Sequence, residues 1–281
     1  MRVVETVIAL RNELAVQRQL GRTIGFVPTM GALHQGHLSL VHQASMQSDF
    51  VVVSIFVNPT QFNNQEDLER YPRNIGRDVQ LLADTQCDLV FVPSVTEMYP
   101  EPDTRQFDFG QIDKVMEGER RPGHFNGVGQ VVSKLFEMVS PEKAFFGLKD
   151  FQQVAVIKHL VKQLNLDVEI VPCPIVRETD GLAMSSRNAL LTEAERKNAS
   201  IIARSLFESC NFVPSKPISE IIAYVVGCVN KTPGFEVEYF EIVDGNTLRE
   251  INEWNDSDYV IGCIAVFAGE VRLIDNVIYK N

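Results

Sequence analysis

The stretch Val27-Pro28-Thr29-Met30-Gly31-Ala32-Leu33-His34-Gln35-Gly36-His37 constrains this chain more than any other. An apolar strand candidate, Thr23 to Val27, leads into it, and an apolar-periodic helix, Leu38 to Ala44, leaves it. A strand that ends in a glycine turn and opens a helix is where α/β proteins hold phosphates. The helix N-terminus points free N–H groups and a partial positive charge at the anion. Gly31 and Gly36 have the spacing of the two glycines in a Walker loop, but His37 and Leu38 stand where that loop needs Lys and Ser or Thr. What remains is His-x-Gly-His, two imidazoles around a glycine that lets backbone approach a ligand closely.

The strand–helix alternation continues on both sides of this turn. Residues 1 to 20 read as an amphipathic helix stopped by Gly21. Phe50 to Val57 is a near-continuous β-branched run, the pattern of a strand buried on both faces of a parallel sheet. Asn64 to Arg73 reads as polar loop, Ile75 to Thr85 as helix and Asp88 to Val92 as strand. A long, aperiodic excursion over 93–128 carries Arg120, Arg121 and His124. His124 is expected to matter less than His37, because its loop is not anchored at a strand end. Then come a helix over Val128–Val139, a strand over Lys143–Phe146, a helix over Phe151–Leu164 and a strand over Val168–Ile175. The expected architecture is an α/β, Rossmann-like parallel-sheet domain over 1–176. Beyond it Thr192 and Glu195 form a capping-box pattern, a second helix covers Ile218–Val229, and strands are expected over Val237–Val243, Tyr259–Phe267 and Val271–Ile274. This predicts a smaller α+β domain over 177–281.

Composition excludes several classes. A formal charge of −11 weighs against nucleic acid, whose backbone must be met by clustered Lys and Arg. No apolar run approaches a membrane span, so no membrane partner is expected. The five cysteines are scattered and never in C-x-x-C, the usage of reduced thiols in a cytoplasmic protein. No G-x-G-x-x-G occurs, since Gly127-Val128-Gly129 lacks the third glycine and a preceding strand, and no G-x-S-x-G elbow is present.

Polar donors gather after the strands instead: His34 and His37, Asn58 and Gln61, then Lys149, Asp150 and Gln153. In an open parallel sheet such strand ends share one edge, and ligands bind there. Met184-Ser185-Ser186-Arg187 follows the last strand of the first domain. Two hydroxyls beside an Arg make an anion clamp.

His34-x-Gly36-His37 with Met184-Ser185-Ser186-Arg187 is similar to the paired HxGH and KMSKS-type signatures of adenylyl-transferring Rossmann-like enzymes. Longer strings narrow the resemblance. Pro28 through His37, Asn58-Pro59-x-Gln61-Phe62, Tyr71-Pro72-Arg73, Arg121-Pro122-Gly123-His124-Phe125-x-Gly127-Val128 and Phe146-Gly147-x-Lys149-Asp150-x-Gln152-Gln153 resemble the pantothenate synthetases (pantoate–β-alanine ligases). The likeness extends to Leu273-Ile274-Asp275-Asn276. Leu148 stands where that family usually has a polar residue, Glu137 where Asn is common, and Arg77 where some members are acidic.

The resemblance implies ATP-dependent condensation of pantoate with β-alanine through a pantoyl-adenylate, with magnesium, in a cytoplasmic homodimer whose second domain acts as a lid. It implies His34, His37, Lys149 and Arg187 as catalytic residues. ATP would meet Met30, Gly31, Ala32, Leu33, His34, Gln35, Gly36, His37, Gly147, Leu148, Lys149, Asp150, Val176, Met184, Ser185, Ser186 and Arg187. Pantoate and β-alanine would meet Met30, Asn58, Gln61, Phe62 and Gln153. Asp78 is the one carboxylate left near Arg77 that could face a metal. Two other readings stay open on the residues alone. A nucleotidylyltransferase of the same fold would need a basic pocket for a second phosphate; a non-catalytic nucleotide-binding module would bind ATP without turnover.

Overall fold

The apolar runs become a six-stranded, wholly parallel sheet in the computed structural model, which describes residues 1–281. Its strands are β1 (Arg2–Val4), β2 (Ile24–Thr29), β3 (Phe50–Ile55), β4 (Leu89–Phe91), β5 (Lys143–Gly147) and β6 (Glu169–Cys173), in the order β1-β4-β3-β2-β5-β6. The helices interleaved with them are α1 (Val7–Gln19), α2 (Gln35–Gln47), α3 (Gln65–Arg70), α4 (Ile75–Ala83), α5 (Val95–Met98), α6 (Met116–Arg120), α7 (His124–Val139) and α8 (Phe151–Gln163). β3 is buried at every position, as its β-branched run requires. On one face Val51, Val53 and Ile55 pack with Leu40, Val41 and Ala44 of α2. On the other, Phe26 of β2 meets Phe136 of α7 edge-on at 6.4 Å.

The strand order reverses between β2 and β5, which is where such sheets open a crevice outside their carboxyl ends. The ladder between these strands holds only Gly25↔Lys143 and Phe26↔Ala144, whereas β2 stays paired to β3 as far as Thr29↔Ile55. Beyond Phe26 the two central strands have parted. Pro28, with no N–H to give a ladder, falls in that stretch. The glycine turn and Gly147 therefore leave neighbouring strands at the switch point.

The chain forms two compact units. The first comprises Met1–Phe109, Arg121–Leu148 and Gln153–Pro174; the second comprises Gly110–Arg120, Lys149–Gln152 and Ile175–Asn281. In the second unit, β7 (Phe235–Asp244), β8 (Val260–Ala268) and β9 (Val271–Lys280) form an antiparallel sheet, joined by α9 (Glu193–Asn198), α10 (Ile201–Cys210) and α11 (Ile218–Asn230). Its core gathers Ile202, Leu206, Ile221, Val225, Val260, Ile264 and Val266.

The short segments of the second unit are tied in by buried polar groups. Both guanidinium arms of Arg272 grip Glu117, at 2.9 and 2.7 Å, and Tyr239 Oη donates to the same carboxylate at 2.8 Å. The Gln152 amide donates to the carbonyls of Ile112 and Val115 and accepts from Glu117 N. Segments 110–120 and 149–152 are thus held by hydrogen bonds that no periodicity announces.

Several elements differ from the sequence reading. Residues 2–4 are an edge strand rather than the start of a helix, because pairing with β4 satisfies backbone groups that three residues of pattern cannot assign. The expected loop over Asn64–Arg73 contains α3, capped by Asn64 Oδ1 on Glu66 N. α7 begins at His124, not Val128. β9 runs on to Lys280, past polar Asp275 and Asn276, which had cut the apolar pattern short. β6 keeps Pro172 inside it, which an edge strand tolerates. The Thr192–Glu195 capping box forms in both directions.

Gly127 and Gly129 are packing residues. A Cβ on Gly127 would lie 2.2 Å from the Thr60 carbonyl oxygen, and one on Gly129 would lie 2.8 Å from Phe107. Gly127→Ala is expected to destabilise the first unit by ~3 kcal/mol, since backbone rather than a flexible side chain must yield. Thermal unfolding followed by circular dichroism should show its midpoint lowered by about 6 °C or more.

Candidate active site

The turn after β2 presents two histidines that cap a helix together. His34 is the N-cap of α2 and its Nδ1 accepts from Gly36 N at 3.1 Å; His37 Nδ1 accepts from His34 N at 3.3 Å. The rings lie 4.1 Å apart. A ring nitrogen that accepts carries no proton, so in the neutral rings the proton sits on Nε2 of both. The backbone thereby sets two Nε2–H donors at a helix N-terminus, where the macrodipole favours an anion. α2 has no acidic residue in its first turn to cancel that field.

The turn before His34 is braced from α4. Asp78 accepts from Ala32 N at 2.9 Å and from Leu33 N at 2.8 Å, and it is 2% exposed. The carboxylate expected to face a metal accepts from two main-chain N–H groups, one on each oxygen. Arg77, its neighbour, is solvent-exposed.

The second loop of the first unit, after β3, carries Asn58, Gln61 and Phe62. Asn58 is buried and its amide is heavily committed: Nδ2 donates to the Gly127 carbonyl at 3.1 Å, and Oδ1 accepts from Tyr99 Oη at 2.8 Å. It organises the loop, and Gln61 is the outstretched member, donating from Nε2 to Met30 Sδ at 2.8 Å. Met30 and Gln61 are thus brought together from the ends of adjacent strands. Phe62 stacks edge-on against Tyr71.

His124 is more firmly placed than the sequence suggested. It is buried at the start of α7, and its Nδ1 lies 2.7 Å from the Gln61 carbonyl oxygen. A carbonyl only accepts, so Nδ1 holds the proton, and Nε2 can accept from Arg121 at 3.2 Å. This imidazole anchors the Gln61 backbone. Its helix supplies the anchor that a strand end was expected to give. Tyr99, which donates to Asn58, carries no sequence signal of this role, since it sits alone in an aperiodic stretch.

Gly147 ends β5 and Leu148 follows it, both half-buried, with Gln153 half-buried on α8. Lys149 and Asp150 group with the second unit, where Lys149 Nζ lies 3.4 Å from the Asp150 carboxylate. Asn276 Nδ2 donates to the Lys149 carbonyl at 3.1 Å. Asn276 N donates in turn to Asp275, which Arg177 holds with two guanidinium bonds, at 2.6 and 2.9 Å. Burial pushes the Asp275 carboxyl up, and Arg177 opposes that shift. Asp275 and Asn276 therefore have a positioning task that the C-terminal string alone did not disclose. Val176, also half-buried, precedes Arg177, and its carbonyl accepts from Met184 N. Ser185 caps the short turn Ser186–Leu190 by accepting from Arg187 N at 3.2 Å, so Ser185, Ser186 and Arg187 share one corner of the chain.

A doubly wound parallel sheet with a histidine-capped helix at its switch point belongs to the Rossmann-like class. Comparison with known proteins narrows this. The profile of the family described as pantoate-beta-alanine ligase matches residues 2–278. A pantothenate synthetase of Phocaeicola vulgatus is 57% identical, and one of Porphyromonas gingivalis is 56% identical, each over all of both chains. Among solved structures, pantothenate synthetase from Thermus thermophilus superposes with a TM-score of 0.93 at 42% identity, covering both chains fully. The pantoate-beta-alanine ligase from Francisella tularensis, complexed with beta-gamma ATP and beta-alanine, has a TM-score of 0.82 at 35% identity, over 100% of this chain and 98% of that one. The chain belongs to the pantoate–β-alanine ligase family. These full-length matches are to ligases, not to the nucleotidylyltransferase or binding-module alternatives.

Three of the five cysteines are buried, poorly nucleophilic thiols. Burial pushes the Cys87 thiol up to about 12 and the Cys173 thiol up to about 11, and Cys263 is shifted upward for the same reason. None is disulfide-bonded. Iodoacetamide at pH 8 should label the half-buried Cys210 and Cys228 first, leaving Cys87, Cys173 and Cys263 unmodified until denaturant is added; peptide mass spectrometry reads the order.

Proposed function

We propose that this chain joins pantoate to β-alanine in two steps at the expense of ATP. A pantoate carboxylate oxygen attacks the α-phosphorus, the bond to the β-phosphate oxygen breaks, and pyrophosphate leaves. The β-alanine nitrogen then attacks the acyl carbon, the bond to AMP breaks, and the nitrogen gives its proton to solvent. Full-length kinship with the ligases supports this reading, as does the relative complexed with beta-gamma ATP and beta-alanine. The observation that carries it is the pair of imidazoles, His34 and His37, whose Nδ1 atoms accept backbone N–H groups at the start of α2.

A carboxylate approaching a triphosphate meets strong repulsion, so catalysis comes from positioning and charge neutralisation. His34 and His37 would hold phosphate oxygens, with Lys149, Ser185, Ser186 and Arg187 neutralising the departing pyrophosphate. The backbone from Met30 to Gly36, with Gly147, Leu148, Asp150 and Val176, would line the nucleotide. Gln61 and Gln153 suit the hydroxyls and carboxylate of pantoate, and Met30 and Phe62 its gem-dimethyl group. The second unit acts as a lid that keeps water from a hydrolysable acyl-adenylate.

Magnesium enters with ATP. No group of three His, Cys, Asp or Glu could hold a metal, and both oxygens of Asp78 face N–H groups. These residues form no all-protein metal cage, so magnesium would enter as the ion of ATP and would supply neutralisation of phosphate charge. The protein works in the cytoplasm as a homodimer; sedimentation should give twice the 31.6 kDa chain mass, and a concentration-independent monomer would overturn that assignment.

The enzyme with ATP, magnesium and pantoate should exchange labelled pyrophosphate into ATP without β-alanine. His37→Ala should slow this exchange about 100- to 1000-fold, the usual effect of losing one preorganised charge-stabilising donor. Gln61→Ala should raise the KM for pantoate and leave that for ATP nearly unchanged. Exchange that strictly requires β-alanine would rule out the stepwise course.

A further inference from the structure

The carboxylate of Asp78 fills an anion cradle that the chain builds from its own backbone. Gly31 and Ala32 have φ of +80° and +50°, two successive residues in the left-handed region. That geometry turns the following N–H groups toward one point and makes a concavity of the kind that binds anions. Ala32 N and Leu33 N converge there, and Asp78 takes one on each oxygen, at 2.9 and 2.8 Å, from a helix 45 and 46 residues further along the chain. Asp78 also stands in the first turn of α4, where negative charge is favoured. The cradle is closed on its other side as well. A Cβ on Gly31 would come within 2.9 Å of Asp78 Oδ2 and 3.1 Å of Ile55 Cγ2.

A non-glycine residue at positive φ, such as Ala32, is strained and persists only where its surroundings over-determine it. Asp78 supplies that determination. The turn it locks runs directly into His34, the N-cap, so its direction sets where both imidazoles stand. The same arrangement is hostile to a cation. Two N–H dipoles point their positive ends at the carboxylate, and the side chain is 2% exposed, whereas magnesium sheds its waters reluctantly. We propose that Asp78 is the positioning residue of the His34–His37 pair, holding the Gly31–Ala32 turn as an internal anion, and that it does not ligate the metal. The catalytic part of this proposal rests on the phosphate-site reading of the two histidines.

Asp78→Asn keeps the shape but offers one acceptor where two are needed. Pyrophosphate exchange should fall by about 10- to 100-fold in kcat, the scale of a misplacement near 1 Å, with the KM for ATP changed by less than about three-fold. The magnesium concentration for half-maximal exchange should stay at the wild-type value, and ten times more magnesium or manganese should restore nothing. Recovery of exchange at high metal would overturn the proposal and make Asp78 a ligand. A second measurement needs no variant. In the wild-type protein without nucleotide, the Ala32 and Leu33 amide protons should exchange slowly with solvent and stay sharp when manganese is added to millimolar levels. Saturable broadening of those two amides would equally refute the assignment. If wild-type enzyme shows no pyrophosphate exchange at all, the proposed function fails, and the amide measurement still decides what Asp78 does.

Discussion

Two left-handed residues in a row set the direction in which the first crossover leaves the sheet. β2 arrives at the switch point as a buried apolar strand, and its backbone must reverse and enter α2 within five residues. Gly31 permits the first positive φ at little cost; Ala32 accepts the second only because N–H groups on either side of its own Cα–C bond find the Asp78 carboxylate. The consequence is a helix whose N-terminus opens where β2 and β5 have parted. A buried carboxylate thus shapes the presentation of the two histidines from beneath the turn that precedes them.

The same economy recurs in the loop after β3. Asn58 spends its amide on Gly127, Thr60 and Tyr99, and His124 holds the Gln61 carbonyl, so that Gln61 extends toward Met30. The close approach of α7 to this loop depends on Gly127 having no side chain. Packing and hydrogen bonding are inseparable here. A bulkier residue on the helix would displace the carbonyl that Asn58 needs.

In the second unit, buried charge does the assembly. Glu117 is met by Arg272 and Tyr239, and burial drives the Tyr239 hydroxyl well above the ordinary tyrosine range, with Glu117 adding to the shift. Such a cluster is costly to break, because removing one partner strands the other's charge in a poorly hydrated place. It joins a short segment to a sheet by specific contacts, where an apolar seam would be less selective. Arg177, Asp275 and Asn276 work in the same manner at the start of the unit, and through Asn276 they reach the Lys149 carbonyl.

Periodicity and motif spacing were sufficient for the parallel sheet, the glycine turn, the histidine pair and the family, because each is local or is a continuous run. Phe50 to Val57 has the near-continuous β-branched run of a doubly covered strand, and His34-x-Gly36-His37 sits between a strand pattern and a helix pattern; that both histidines cap the helix is seen only in the fold. Other features were decided by partners distant in sequence. Arg2–Val4 is a strand because β4 is beside it, and β9 continues through Asp275 because Arg177 meets that carboxylate. Asp78 reads in the sequence as a carboxylate that could face a metal, and in the fold it accepts from two backbone N–H groups. Its role depends on N–H groups 45 and 46 residues away, which no spacing rule connects to it. A sequence determines which groups want charge, burial or a hydrogen bond; only the folded chain decides which of them find each other.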